Sequence, residues 1–346
     1  MNINNSQPLQ MLAQAGPDEQ QFDFHPHTFD EYLGQADLKK KLVIYTTATL
    51  MRQEPLDHVL FFGPPGLGKT TLATIMAQVL GVTIKICSGP MLERTGDLVA
   101  LLSGLAPRDI LFIDEIHRLP TQLEEVLYSA MEQFKIDVII GQGAGAQAIS
   151  LPINPFTLIG ATTKTGMLSA PLLSRFGIVE RLDFYSEEDL KKIVLQSAHF
   201  LTIDFSDKAA LLIARAARGT PRIAKKIVRR VRDFMQVKNQ TAETINDPDT
   251  VVQDALNFLG IDAEGLHTLD HALLRVLVER FQGGPVGLET LASLLAEDKD
   301  TIEDVYEPYL IRCGYLEKTI RGRQIPAQRL PYVRAKILGQ HTLLTP

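Results

Sequence analysis

The chain has 346 residues, 45% of them hydrophobic and 22% charged, and 35 Lys and Arg against 41 Asp and Glu leave a formal net charge of -6. That length allows two or three domains with sizeable cores, in the composition of a soluble globular protein. Taken as a whole-chain average, the acidic balance argues against a simple basic nucleic-acid module.

Residues 1–21 are polar and rich in Gln and Asn, which predicts a disordered tail. They carry no basic region followed by an apolar run, so no signal peptide is expected, and no apolar stretch approaches the ~18–20 residues of a spanning helix. A soluble cytoplasmic protein with no membrane contact is the expectation. Cys87 and Cys313, the only cysteines, are too few for a disulfide framework and read as core thiols in a reducing compartment.

From residue 22 to 184, short apolar runs alternate with helical periodicity. His58–Phe62, Thr83–Cys87, Ile110–Asp114 and Thr157–Ala161 read as strands, and Thr70–Val79 and Gln122–Phe134 as helices. Near-continuous apolar strands between helices predict an α/β domain with a mostly parallel sheet covered on both faces.

The first strand runs into Gly63-Pro64-Pro65-Gly66-Leu67-Gly68-Lys69-Thr70, a G-x-x-x-x-G-K-T phosphate loop between strand and helix. Glycines let backbone N–H groups turn toward phosphate oxygens, and the helix N-terminus adds its positive dipole end. Lys69 is placed to reach the β and γ phosphates, and the Thr70 hydroxyl to coordinate Mg²⁺. Asp114 and Glu115 end the third strand, at the edge where parallel sheets bind ligands. Asp114 is assigned to Mg²⁺ through water and Glu115 to polarising the attacking water, a solvated turn being the alternative. His117 and Arg118 follow and read as surface or interface residues.

Gly160-Ala161-Thr162-Thr163 ends a further strand, with Thr162, or its rival Thr163, placed to hydrogen-bond the lytic water or γ phosphate. Arg175 follows a short helix starting near Ser169. It reads either as an arginine that completes a neighbouring subunit's site or as a surface salt bridge.

After Phe184 the strands stop. Ser186 with Glu187 and Glu188 opens a helix, and Ala209–Ala217, Thr220–Phe234 and Thr250–Leu259 extend a small helical domain over 185–260. Gly219-Thr220-Pro221-Arg222 starts one of these helices, which makes Arg222 the γ-phosphate candidate among the eight Lys and Arg of residues 215–232.

Residues 261–346 form a third unit. Helices over Asp270–Phe281, Gly287–Leu294 and Thr301–Cys313 precede a strand–turn–strand centred on Gly322, the pattern of a winged helix. From Lys318 onward there are six Lys or Arg and no acid, a local charge suited to duplex backbone. A winged helix that binds protein is the alternative.

GPPGLGKTTLA, LFIDEIHRL, TLIGATTKTG, LLSRFGIVERLDFY, GTPRIAKKIVRRVRDF and GGPVGLETLA, in this order and spacing, resemble the bacterial RuvB family over about residues 22–335. The resemblance implies an AAA+ P-loop ATPase core with a small helical lid and a C-terminal winged helix. It implies a hexameric ring motor that uses ATP and Mg²⁺ to drive branch migration of Holliday junctions. Such a motor pumps duplex DNA, is loaded by RuvA and precedes the RuvC resolvase. It assigns Gly63, Gly66, Leu67, Gly68, Lys69, Thr70, Thr71, Asp114, Glu115, Thr162, Arg175 and Arg222 to the nucleotide site. It adds Tyr185 as a ring stacking on adenine and sets Leu33-Gly34-Gln35 and Glu132-Gln133-Phe134 at the nucleotide pocket. Lys299, Lys318 and Arg323 match family DNA contacts, with Arg321 beside them on the wing.

Two departures stand out. His25-Pro26 replaces the usual Arg-Pro, which predicts a weaker or pH-sensitive N-terminal nucleotide contact. The hairpin around Ile139 and Ile140, where the family binds RuvA, has a Gly/Ala tip in place of charged residues. The rival functions are a clamp-loader-like or initiator-like AAA+ switch and a nucleotide-gated protein scaffold.

Overall fold

The computed structural model describes residues 24–140, 147–240 and 248–339. One unit holds the chain up to Asp204 together with Gly219–Lys225, and a second holds Phe205–Arg218 and the chain from Lys226 onward.

The first unit begins with α1 (Ala36–Arg52), β1 (Val59–Phe62), α2 (Lys69–Leu80), β2 (Ile84–Ser88), α3 (Thr95–Ser103), β3 (Ile110–Asp114) and α4 (Thr121–Gln133). It continues with β4 (Lys135–Ile140), β5 (Gln147–Pro152), β6 (Thr157–Thr162), α5 (Ala170–Leu173), β7 (Ile178–Arg181) and α6 (Glu187–Phe200). Five strands pair in parallel in the order β2-β3-β6-β1-β7, so the chain has the expected α/β class. Helices cover both faces, which is why β1, β3 and β6 are apolar without alternation and buried almost throughout. Phe61, Phe112 and Phe156 are fully buried, each stabilising the fold by roughly 1.5–3 kcal/mol through apolar burial.

Strand order positions the site. Phe62 pairs with Thr162, Ile113 with Gly160 and Ser88 with Asp114. Since β1, β6 and β3 are adjacent and run the same way, the phosphate loop, Thr162 and Asp114 leave the sheet along one edge. β4 and β5 make a separate antiparallel hairpin; its Gly/Ala tip lies outside the described residues.

The segment expected as one helical domain is divided between the units. α6 is capped by Ser186, whose Oγ accepts the Asp189 N–H at 3.1 Å, with Glu187, Glu188 and Asp189 complementing the helix dipole. It belongs to the first unit because Gln196 donates to the Glu31 carbonyl at 3.2 Å and Phe200 meets Phe24 edge-on at 6.1 Å.

The second unit contains α7 (Asp207–Ala216), the part of α8 (Pro221–Gln240) from Lys226, α9 (Pro248–Phe258), α10 (Thr268–Phe281) and α11 (Leu288–Leu295). A helical stretch follows through Lys299–Thr301, a π-turn at Ile302–Tyr306 and Glu307–Arg312, together α12. β8 (Glu317–Thr319), β9 (Gly322–Gln324) and α13 (Leu330–Leu338) complete a winged helix. Gly322 is not the turn, as its place between two polar strands led us to expect. Ile320 and Arg321 make the turn, and Gly322 opens β9 with φ 131°. A Cβ there would lie 2.3 Å from the Val286 carbonyl, because Val286 and Arg323 exchange backbone bonds at 2.7 and 2.8 Å.

Both thiols are free and half-buried. Cys87 donates to the Phe112 carbonyl at 3.5 Å, and burial pushes it up to about 12, which makes it inert. Among the described residues no helix is long and apolar enough to cross a membrane.

Candidate nucleotide site and nucleic-acid interface

The phosphate loop turns through Gly63, Gly66 and Gly68, all with positive φ, and Gly68 caps α2. Gly66 is required twice over. Its φ is 76°, and a Cβ would sit 2.9 Å from the Thr220 methyl and 3.0 Å from the Arg222 Cβ. The Arg222 N–H donates to the Gly66 carbonyl at 3.3 Å. The start of α8 is therefore laid on the loop itself, with the exposed Arg222 side chain beside it. Thr70 and Thr71 lie half-buried in the first turn of α2, behind the loop.

Lys69 is 7% exposed and donates to the Gly63 and Pro64 carbonyls at 2.8 and 3.0 Å. Burial lowers its pKa, and the negative charges of Asp114 and Glu115 pull it back up. The ammonium and the two carboxylates thus share one electrostatic site.

Tyr185 supports the loop from behind. Its hydroxyl lies 2.7 Å from the Tyr32 hydroxyl and 3.2 Å from the Leu67 carbonyl, which Tyr32 also reaches at 3.3 Å. Burial pushes the Tyr185 phenol up to about 12, so it stays a donor. Its ring packs on Gly34, where a Cβ would come within 2.3 Å, next to the half-buried Leu33. Its N–H donates to the Gly219 carbonyl at 2.9 Å. Tyr185 thus bonds both to the phosphate loop and to the segment carrying Arg222. Tyr32 has no motif in the sequence to mark it; its hydrogen bonds with Tyr185 and the Leu67 carbonyl identify it.

Asp114 accepts the Glu115 N–H at 2.9 Å, and Glu115 is held with φ 49°. Left-handed backbone at a non-glycine residue beside a strand end marks a constrained position. His117 corrects the sequence expectation: its side chain is 5% exposed rather than on the surface. Its Nδ1 lies 3.2 Å from Glu115 Oε2 and 2.9 Å from Thr162 Oγ1. The tight turn Ile116–Arg118 after β3 folds the imidazole back over β6, a local geometry with no periodic signal. Arg118 is exposed as expected.

The donor set fits a magnesium nucleotide. Among the described residues no cluster of three or more His, Cys, Asp or Glu could hold a metal alone. One hydroxyl, Thr70, and one carboxylate, Asp114, match the sparse protein ligation of Mg²⁺, which keeps waters and phosphate oxygens in its octahedron.

Glu132, Gln133 and Phe134 do not border this loop within one chain. α4 carries its C-terminal end to the opposite edge of the sheet. There His58, just before β1, lies 3.2 Å from the Met131 carbonyl, and Phe134 packs 6.2 Å from Phe156, just before β6. Arg175 lies at that same edge. Its guanidinium is 2.9 Å from Glu132, donates to the Pro171 carbonyl at 2.7 Å and covers the Tyr128 ring at 4.7 Å. A cleft of about 380 Å³ opens there, lined by Arg175, Phe134, His58 and Asp57 among others.

On the wing, Lys318 is 2.9 Å from Glu303 and 2.8 Å from Glu307, and Arg323 is 3.2 Å and 2.7 Å from the same carboxylates. Glu307 is fully buried. Lys336 pairs with Asp262 and Glu264 at 2.8 and 2.7 Å, and Arg329 lies over the rings of Tyr315 and Tyr332. Three of the six basic residues, Lys318, Arg323 and Lys336, are therefore neutralised by acids upstream of them. Lys299 stays exposed, 4.0 Å from Glu289, and among the described residues Arg321 has no ion pair. Ile320 beside it is fully exposed.

The chain matches three family descriptions in succession: the Holliday junction DNA helicase RuvB P-loop domain over residues 24–182, the RuvB AAA lid domain over 185–262, and the RuvB C-terminal winged helix domain over 263–333. It is similar to a structure described as the Thermotoga maritima RuvB Holliday junction branch migration motor, with 45% identity and a TM-score of 0.78 over 90% of this chain and 98% of that one. Two mutant forms of the Thermotoga maritima protein match at 45% identity and TM-score 0.80, over 92% of this chain and 100% or 99% of theirs.

Proposed function

The chain belongs to the RuvB family of Holliday junction branch migration proteins, and from that membership we propose that it is an ATP-driven ring motor that moves duplex DNA through such junctions. Residues 22–184, 185–260 and 261–346 serve as ATPase core, lid and DNA-binding domain. The observation that carries the reading is the convergence of Lys69, Asp114, Glu115 and Thr162 on one sheet edge, with Arg222 beside Gly66.

Lys69 binds the β and γ phosphates, and Thr70 and Asp114 would hold Mg²⁺, which would neutralise phosphate charge. Glu115 polarises the attacking water and Thr162 orients it. Arg175, with Glu132, Gln133 and Phe134, serves the nucleotide of the next subunit, since their edge is opposite to their own phosphate loop. The shared site calls for a ring of like subunits, a homohexamer as the family resemblance implies. Lys299 and Arg321 hold backbone phosphates, and Lys318 and Arg323 join by exchanging Glu303 and Glu307 for them. RuvA docks on the β4–β5 hairpin and RuvC acts afterward, in the cytoplasm.

The test is ATP-dependent migration of a synthetic four-way junction with and without RuvA. Migration with RuvA is expected. Normal ATP turnover with no migration in its presence would overturn the reading in favour of a switch ATPase.

A further inference from the structure

The imidazole of His117 touches both Glu115 and Thr162 through the same atom, Nδ1. Thr162 Oγ1 accepts the Lys164 N–H at 3.0 Å, and its own hydrogen can still donate either to the ring or away from it. Thr162 is fully buried and the His117 side chain nearly so, while the Glu115 side chain beside them is a third exposed and within reach of solvent. A ring nitrogen holds either a hydrogen or a lone pair.

Two arrangements follow. When the Thr162 hydroxyl donates to Nδ1, that atom is an acceptor and presents its lone pair to the Glu115 carboxylate, which then has no bond from it. When the Thr162 hydrogen points elsewhere, the ring takes its other neutral tautomer: Nε2 gives up its hydrogen to solvent and Nδ1 takes one up from water on the Glu115 side, so the charge of the ring is unchanged. Nδ1 then donates to Thr162 Oγ1 at 2.9 Å and to Glu115 Oε2 at 3.2 Å. The position of Glu115 thereby depends on the direction of one hydroxyl hydrogen on the neighbouring strand.

We propose that His117 is a positioning residue that holds Glu115 in its water-polarising place only while the Thr162 hydroxyl donates away from the ring, toward the phosphate side. The inference rests on the ATPase reading above and adds a link between Thr162 and Glu115 that neither residue makes directly.

The test uses full-length protein carrying His117→Phe, which keeps the ring volume without the nitrogen, and His117→Asn, whose side-chain amide takes the place of Nδ1. His117→Phe should lower ATP turnover by about 100-fold, the scale of a misplaced catalytic group, while ATP binding stays within a few-fold of wild type. His117→Asn should recover most of that loss. Combining His117→Phe with Thr162→Val should cost less than the product of the two single effects. Imidazole ¹⁵N spectra of the wild-type protein give a readout apart from turnover. A non-hydrolysable ATP analogue should shift His117 Nδ1 toward its hydrogen-bearing form, and Thr162→Val should abolish that response.

Wild-type turnover in His117→Phe, multiplicative effects with Thr162→Val, or an Nδ1 that ignores both the analogue and Thr162 would overturn the proposal. If His117→Phe does not fold, the Asn variant and the nitrogen spectra decide. A wild-type protein that hydrolyses no ATP would overturn the ATPase reading itself, a result distinct from any of these.

Discussion

The phosphate-loop edge and the wing both assemble charged residues, yet they treat them in opposite ways. At the loop, Lys69 is buried with its ammonium on two backbone carbonyls; burial lowers its pKa, and the carboxylates of Asp114 and Glu115 offset part of that. At the wing, Lys318 and Arg323 are closed on Glu303 and Glu307, the second of them fully buried. A site built from backbone turns holds its geometry whatever surrounds it. A site built from side-chain charge has only the charge that its neighbours leave over.

The largest effect should come from the loop. Lys69→Ala and Arg175→Ala should each lower ATP turnover by about 10³-fold or more, the scale of phosphate-binding and finger residues. Mixing the two inactive proteins should restore part of it, since a ring interface can then pair an intact loop with an intact Arg175. Mixtures that stay inactive would mean that both residues serve their own chain. Next comes Gly66→Ala, where strain at φ 76° and contact with Thr220 and Arg222 act together. It should abolish measurable ATP binding and lower stability by about 1–3 kcal/mol, read by nucleotide titration and denaturant melts.

On the wing the effects should be smaller and of mixed sign. Glu303→Gln should raise affinity for duplex DNA a few-fold at low salt and steepen the salt dependence by about one unit, because it removes one of the two carboxylates that neutralise Lys318 and Arg323. Arg321→Ala should weaken binding and flatten that slope. An unchanged Glu303→Gln protein would show that the ion pairs do not compete with phosphate.

The smallest effect is on pH dependence. Burial, with the Arg218 charge second, pushes His267 down to about 4, against a value near 6.5 in an unfolded chain. Between those values the unfolded chain binds a proton that the folded one does not, so stability falls as pH drops from 6.5 toward 4. His267→Gln should flatten this limb of a plot of melting temperature against pH.

The α/β class and the phosphate loop were legible because strand, glycine spacing and helix are local, and Gly63 to Thr70 carries its geometry in its own backbone. Asp114 and Glu115 were legible for the same reason, as polar residues ending an apolar strand. Tyr32 and His117 were not. Each acts through contacts that the fold assembles, Tyr32 with Tyr185 and Leu67 and His117 with Thr162 and Glu115, and nothing in their spacing distinguishes them from surface residues. Glu132 to Phe134 read as neighbours of the nucleotide, but the direction of α4 sets them on the far edge.

By itself, then, the sequence determined which elements form and which residue types can bind phosphate, because periodicity and turn chemistry are properties of short segments. Only the tertiary structure decided which charges remain available. The basic run from Lys318 meets acids from residues 262–307, and Coulomb attraction follows distance in space rather than position along the chain.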